Sequence, residues 1–394
     1  MRRFIPILVF LLAVSSSAAN PEFIFPTDQW HNHSSTIVEL PNGDLLTAWY
    51  KGSGEGKADD VRIVGARKRM GDEGWSDPFL MADSQDLPDL NPALFMDPRG
   101  VLWMFWVTVL DNSWGGVLLK YRTSTDYLGE GPPRWNWQDV VHCRPRDFER
   151  IYSNLLDRIE VVRAEHIQAN PELARVVDEQ REAVSDKLSR RLGWMTRTQP
   201  LMVSEKRMIL GVYHDVFACS LAAITDNWGE TWSFSEPIVA PFLGLVQPSS
   251  IQRQDGTLVA YMRDNGFLKQ IRVSESSDRG VSWTEARPLE MPNPGSSLQV
   301  LKLKSGNWVL VCNDLKKGRY RLTVFLSEDE GETWPWKRPI EDLGEGGGEV
   351  SYPTLIQGKD GSLHCTYSYE STDGSQEAIE YFHLAESWIR EGPQ

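Results

Sequence analysis

The sequence predicts an all-β fold: a six-bladed β-propeller with four-stranded blades and a helical insertion between blades two and three. Three observations predict it. A hairpin phrase recurs six times, an Asp-containing turn recurs behind it at a spacing of about fifty residues, and one helix-patterned stretch interrupts the series.

The hairpin phrase is a short strand, a tight turn and an apolar or aromatic strand. It reads STIVELPNGDLLTAWY (35–50), PALFMDPRGVLWMFWV (92–107), PSSIQRQDGTLVAYMR (248–263), SLQVLKLKSGNWVLVC (297–312) and PTLIQGKDGSLHCTYS (353–368). A weaker copy, PLMVSEKRMILGVYHD (200–215), has Lys206-Arg207 where the others have their Gly turn. Asn-Gly and Asp-Gly between alternating strands favour a two-residue hairpin, because both turn residues need positive φ. The second phrase runs Thr225 to Trp232, Ser276 to Trp283 and Ser327 to Trp334, with a decayed copy at Asp72-Glu73-Gly74-Trp75. Asp caps turn amides there, Gly takes the positive φ and Trp packs back over the blade. These residues read as parts of the fold rather than of a site.

The interruption, 146–193, carries apolar residues at Leu173, Val176, Val177, Val184, Leu188 and Leu192, which share a helical face. Asn170-Pro171-Glu172 reads as a helix start and Gly193 as an end, so two helices are expected. At the front of the chain, Arg2-Arg3, an apolar run from Phe4 to Val14 and small residues through Ala19 read as a signal peptide over 1–19. The expected product is a single propeller domain over 20–394, secreted or periplasmic, with no membrane span.

Composition narrows the partners. A net charge of −14 excludes a nucleic-acid scaffold, which needs a basic face. The 4 Cys are scattered, with no C-x-x-C and no His at zinc spacing, so the sequence indicates neither a metal nor another cofactor. Cys312 and Cys365 sit in strand patterns and read as buried thiols. The 16 Trp suggest a sugar-facing surface. Trp75, Trp232, Trp283 and Trp334 belong to the turns, which leaves Trp30, Trp49, Trp103 and Trp106 to stack on a sugar, the last two within a strand and more suited to core.

The recurring turn is the Asp-box, or BNR, signature. Together with six blades, a leader, and the phrases HNHSSTIVELPNGDLL, GSGEGKADD, NPALF, VQPSSI, NPGSSLQV and SYPTLIQ, it makes the chain resemble the sialidase superfamily, in its bacterial predicted-neuraminidase branch. The resemblance covers essentially the whole chain apart from the leader and the insertion. It implies an exo-glycosidase in which an Arg triad binds a carboxylate, a Tyr assisted by Glu attacks the anomeric carbon, and an Asp serves as acid/base. A neutral phenol suits a carbon that already bears a carboxylate, which would repel a second one.

Carried over residue by residue, the resemblance implies Tyr352 as nucleophile, Asp59 as acid/base with Asp60 as its rival, and Arg263 and Arg319 as two triad members. Two positions depart from the family. His33 stands where the first triad Arg belongs, and Gln247-Pro248 stands where the Tyr-activating Glu belongs. A His there implies a weaker, pH-dependent anion contact. Polar residues that open the inner strands, among them His33, Asn91, Gln247 and Ser351, would ring one mouth of the channel and hydrogen-bond a sugar. Arg263-Asp264-Asn265 reads as a substrate clamp or as a structural ion pair between blades, with the clamp preferred, and His31 and His214 join His33 as a candidate cluster.

Three functions fit this pattern. The first is a sialidase-like exo-glycosidase acting on a terminal, acidic sugar of a glycan or glycoconjugate. The second is another carbohydrate-active propeller enzyme, a different glycosidase or a uronate lyase using His and Tyr. The third is a non-catalytic glycan-binding propeller. Intact Asp59, Arg263 and Tyr352 favour an enzyme, whereas His33 and Gln247 favour the second over the first.

Overall fold

The computed structural model describes residues 20–169, 171–240 and 244–392. The leader expected over 1–19, the expected cap Asn170 and the side chain of Leu173 lie outside the described residues. Six antiparallel sheets follow one another around a ring, each with its first strand nearest the axis. The inner strands are His31–Glu39, Asp89–Met96, Leu245–Gln252, Gln299–Lys302 and Glu349–Gln357 in blades one, two, four, five and six. Blade three splits the same place between Trp194–Thr196 and Leu201–Met202, both paired with Met208–His214. The loss of the Gly turn in that copy accompanies the break.

The last blade is completed from the front of the chain. Glu22–Phe23 pairs with Glu377–Leu384 as the outermost strand, with Glu22 opposite Tyr381. Trp75 Nε1 donates to Glu22 Oε1 at 3.2 Å, so the decayed turn of blade one helps to hold this strand. The three intact Asp-box turns lie between the third and fourth strands of blades three, four and five. In the central one, Asp278 accepts from Ser276 Oγ, Val281 N and Ser282 N at 2.8, 3.0 and 2.9 Å. Gly280 (φ 89°) has no room for a Cβ, which would sit 2.6 Å from Ile209 Cδ1.

The insertion forms three helices rather than two among the described residues: Phe148–Val162, Ala164–Ala169 and Pro171–Ser185. The first buries Phe148, Tyr152, Leu155 and Leu156 against blade three, and the third buries Val177 and Val184. Leu188 lies beyond the last helical turn and is exposed. Gly193 does end the segment, for a reason the sequence conceals: a Cβ there would meet His214 Nε2 at 2.2 Å. All four cysteines are buried free thiols. Trp49, Trp103 and Trp106 are core residues, their indoles donating to Asn32, Asp97 and Asp89, so Trp30 alone of the four stacking candidates reaches solvent. None of the described helices is long and apolar enough to cross a membrane.

Candidate functional site

The site begins with a backbone irregularity repeated four times. The pairing register of the inner strand slips between His33 and Thr36, Leu90 and Ala93, Val246 and Ser249, and Ser351 and Thr354. A residue with positive φ sits in each slip: Ser34 (60°), Asn91 (50°), Gln247 (55°) and Tyr352 (56°). A bulge re-aims the side chain it contains, and these four converge across the ring. Ser34 Oγ meets Asn91 Oδ1 at 3.1 Å, and Asn91 Nδ2 donates to the Tyr213 hydroxyl at 3.1 Å. Gln247 Nε2 donates to the hydroxyls of Tyr213 and Tyr352 at 3.4 and 3.3 Å. A left-handed non-glycine residue costs about 1–3 kcal/mol and is kept only where its surroundings enforce it.

Tyr352 is the centre of this network and is 7% exposed. Arg263 Nη1 donates to its hydroxyl at 2.7 Å and to Gln247 Oε1 at 3.3 Å. The guanidinium carbons of Arg197, Arg319 and Arg263 stand 5.3, 5.5 and 6.0 Å from the centre of its ring. Two donors on the phenol oxygen and three cations about the ring stabilise negative charge developing at this point. Arg319 donates to Gly295 O at 3.2 Å and lies 3.9 Å from Glu349.

Arg197 is the main residue that sequence reasoning missed. It is 1% exposed and is held by oxygens that carry no charge: Tyr352 O at 2.5 Å, Ser35 O at 3.2 Å and Thr354 Oγ1 at 3.3 Å. Burial pulls its guanidinium down to about 10. It pins the bulge that carries Tyr352 from below. A signal was present, because Arg197 stands two residues before Gln199-Pro200, one of the polar phrases that open the inner strands.

His33 packs its ring on Tyr352, with centroids 4.1 Å apart at 52°. Burial, then the charges of His31, Arg319, Arg197 and Arg263, hold its imidazole well below the usual value. It is a neutral ring rather than the pH-dependent cation expected from its place in the triad. His31 does join it, ring centroids 5.6 Å apart. Burial opposes the charging of His31, and the Glu377 carboxylate at 2.9 Å outweighs it and raises the imidazole. His214 does not join them. It is buried under the insertion, edge-on to Trp194, and accepts the amides of Val216 and Phe217.

The remaining expected residues divide. Asn91 and Gln247 are in the network described above. Ser351 is buried beside Tyr352, opposite Ser368. Asp264 turns away from Arg263, as alternate residues of a strand must, and forms a buried pair with Arg272 at 3.2 Å while accepting from Gly266 N. Asp59 and Asp60 are exposed on the rim loop after Leu45–Gly52. Asp59 accepts from Asn112 Nδ2 at 3.1 Å, and Asp60 caps Ser53 N and Oγ at 3.0 and 2.8 Å.

Three further titrating groups surround the mouth. Burial and the nearby Glu55 carboxylate push the Tyr50 phenol well above its usual value, and burial with the charge of Asp215 does the same to Tyr213. Asp215 is raised to about 6, first by burial, with Arg263 opposing and Glu55 adding to the rise. The site therefore gathers phenols, arginines, a neutral imidazole and one carboxyl that titrates near neutrality, the mixture that proton-transfer chemistry requires.

Among solved structures, the fold is similar to that of a protein of unknown function from Dyadobacter fermentans DSM 18053 (TM-score 0.69, 14% identity, 94% of this chain and 99% of that one). It is also similar to a leech intramolecular trans-sialidase complexed with 2,7-anhydro-Neu5Ac (0.67, 12%, 96% and 71%). A third likeness is to an α-L-arabinanase from Penicillium chrysogenum complexed with arabinobiose (0.61, 13%, 96% and 100%). No curated relative matches the chain by sequence. The six-bladed propeller is thus a fold that this chain shares with sialidases and an arabinanase. The model of the BNR repeat-like domain matches residues 43–147 and 181–365, and the chain belongs to that family.

Proposed function

We propose that the chain is a sialidase-like glycoside hydrolase that removes a terminal acidic sugar from a glycan, with Tyr352 attacking the anomeric carbon. The observation that carries this reading is the Tyr352 hydroxyl, which receives Arg263 and Gln247 at the centre of a ring of four strained bulges. Arg263, bonded to the neutral Gln247 and Tyr352, and Arg319, bonded to Gly295 O and 3.9 Å from Glu349, would hold the sugar's carboxylate. The family resemblance would give the leaving-group proton to Asp59, with Asp60 as alternative; both are exposed on the rim loop, and a half-buried carboxyl at the mouth competes for the role. Export to the periplasm or medium belongs to the same proposal.

One observation favours a second reading. The family's activating Glu is Gln247, and a neutral His33 lies against Tyr352 instead. An imidazole that is uncharged at neutral pH is a base, and a base beside a phenol can remove and return protons in a β-elimination at a uronic acid. Incubation with a fluorogenic sialoside, beside uronate-linked and neutral glycosides, separates the two readings. Sialoside release that is lost in Tyr352→Phe supports the hydrolase. An unsaturated product absorbing in the ultraviolet supports elimination. Glycan binding without turnover of any member would replace both with a binding role.

A further inference from the structure

We propose that Asp215 is the carboxyl that exchanges a proton with the substrate in this pocket, and that the helical insertion exists to hold it there. The proposal rests on reading the mouth as a catalytic site.

The first argument is positional. Each copy of the hairpin phrase ends on the second strand of its blade, and the last residue of the phrase is Tyr50 in blade one, Arg263 in blade four and Asp215 in blade three. Tyr50 pairs with His33 and Arg263 with Val246, at the mouth-side end of each inner strand. Asp215 follows His214, the last residue of its strand, and stands two residues past Tyr213, whose hydroxyl belongs to the network at the mouth. The other copies end on Val107, Cys312 and Ser368, so Tyr50 and Arg263 are two of the five positions equivalent to Asp215, and both line the site.

The second argument is mechanical. Asp215 begins the turn to Ala218, a residue with φ of 47°. Every carbonyl of that turn has a donor. Asp215 O accepts from Ala218 N at 3.2 Å, and Ala218 O from Gly244 N and Leu245 N at 3.1 and 3.0 Å. The two between them are served by the insertion: Gln180 Nε2 donates to Val216 O at 2.6 Å and Tyr152 Oη to Phe217 O at 2.6 Å. Gln180 Oε1 lies 3.0 Å from the same Tyr152 hydroxyl and shares that hydroxyl's single proton with Phe217 O, so two helices clamp the turn through one network. A turn fixed on all sides positions its first side chain as a strand would.

The third argument is chemical. The groups whose charge acts on Asp215 are Arg263 from blade four and Glu55 from the rim loop of blade one, and Asp215 acts in turn on Tyr213 of its own strand. His214 and Tyr152 pack behind the turn, with Cys219 across the hairpin. Burial outweighs Arg263 and leaves the carboxyl titrating at about 6, poised between donor and acceptor, whereas Asp59 and Asp60 are open to water. In the hydrolytic cycle the Tyr352 oxygen bonds the anomeric carbon as the glycosidic C–O bond breaks, its phenol proton passing to the His33 imidazole packed on its ring, while the Asp215 O–H gives its proton to the leaving oxygen. Water then attacks the anomeric carbon, losing a proton to the Asp215 carboxylate, and the bond to Tyr352 breaks as the imidazole returns its proton to the phenol oxygen. Water is the only co-reactant.

The test is a set of pH–rate profiles on the best substrate of the panel, for wild type, Asp215→Asn, Asp59→Asn and Tyr152→Phe. Activity of the wild type should fall as pH rises above about 6. Asp215→Asn should lower kcat by about 10²–10³-fold and flatten that alkaline fall, and Asp59→Asn should leave the fall in place. Tyr152→Phe should move the inflection toward the ordinary carboxyl range with little change in KM. An alkaline fall retained in Asp215→Asn, or removed by Asp59→Asn, overturns this assignment alone. No turnover by wild type on any substrate overturns the catalytic reading and this role with it. Stability supplies a readout independent of turnover. The folded carboxyl is raised above its unfolded value, so stability is lost as pH rises through about 6, and Asp215→Asn should gain on wild type at pH 7 while matching it at pH 4. A variant less stable than wild type at pH 7 would make Asp215 a structural counter-ion of Arg263 and refute the proposal.

Discussion

The two faces of the ring use the same unusual backbone for opposite ends. In the Asp-box turns, Trp228, Arg279 and Glu330 have φ of 59°, 65° and 58°, each followed by a Gly in the same region. At the channel mouth, Ser34, Asn91, Gln247 and Tyr352 have φ between 50° and 60°. In the turns the hydrogen bonds close locally and repeat from blade to blade, as with Gly229 N to Thr225 Oγ1, Gly280 N to Ser276 Oγ and Gly331 N to Ser327 Oγ, at 2.8, 2.9 and 2.8 Å. At the mouth the strained residues differ in every blade and bond across the ring. Strain that repeats with its own partners builds a scaffold. Strain that varies, and whose side chains meet over long sequence distances, builds a site.

The sharpest way to break this comparison is to remove one atom from its centre. Tyr352→Phe should cost at least about 10³-fold in kcat and leave thermal stability close to wild type. An equal loss of stability would place Tyr352 with the scaffold. A smaller effect should follow from Gln247→Glu, which puts a carboxylate beside Tyr352 and Arg263. Sialoside hydrolysis should rise about tenfold if Tyr352 lacks only the family's base, and an unchanged rate would favour elimination. On the opposite face, Asp278→Ala removes the acceptor of several turn hydrogen bonds. About 1–2 kcal/mol of stability should disappear in urea titration, with kcat and KM unaltered.

The smallest effect sharpens the contrast between buried carboxyls. Glu380 sits in the wall between blades five and six, near Glu341 and Tyr367, and burial with the Glu341 carboxylate raises it to about 9. Its folded value lies above its unfolded one, so its protonated form stabilises at acid pH and that stability is lost as pH rises toward 9. Glu380→Gln should therefore gain on wild type between pH 6 and pH 9 and match it at pH 4, measured by thermal unfolding. Unlike Asp215→Asn, it should not alter the pH–rate profile.

What the sequence made legible was whatever repeats. The hairpin phrase and the Asp-box located the blades, the turns and the inner-strand openings, and hence Tyr352, Arg263, His33, Asn91 and Gln247. The parts that stayed hidden depend on ring closure. Arg197 reaches residues on blades one and six, Gln247 reaches Tyr213 and Tyr352, and no local pattern encodes such meetings. Of the two readings of Asp264, the structure has the ion pair rather than the clamp, with Arg272 as partner, because adjacency in sequence means opposite faces in a strand. His214 ends the strand that carries Tyr213 to the mouth but is buried against Trp194 and Phe217, its ring filling the space that a Cβ on Gly193 would need, which no composition reveals. Tyr50 and Asp215 were within reach, since both end a copy of the phrase that ends on Arg263 elsewhere.

The strand Glu22–Phe23 gives the ring a clasp. It pairs with Glu377–Leu384, so the last sheet is assembled from both ends of the described chain. Pairings this distant are slow to form, because the loop they close is long. Tyr352 belongs to that same sheet. The candidate nucleophile is therefore placed only when the circle is shut, and an incomplete chain has neither a rim nor a reactive centre to expose.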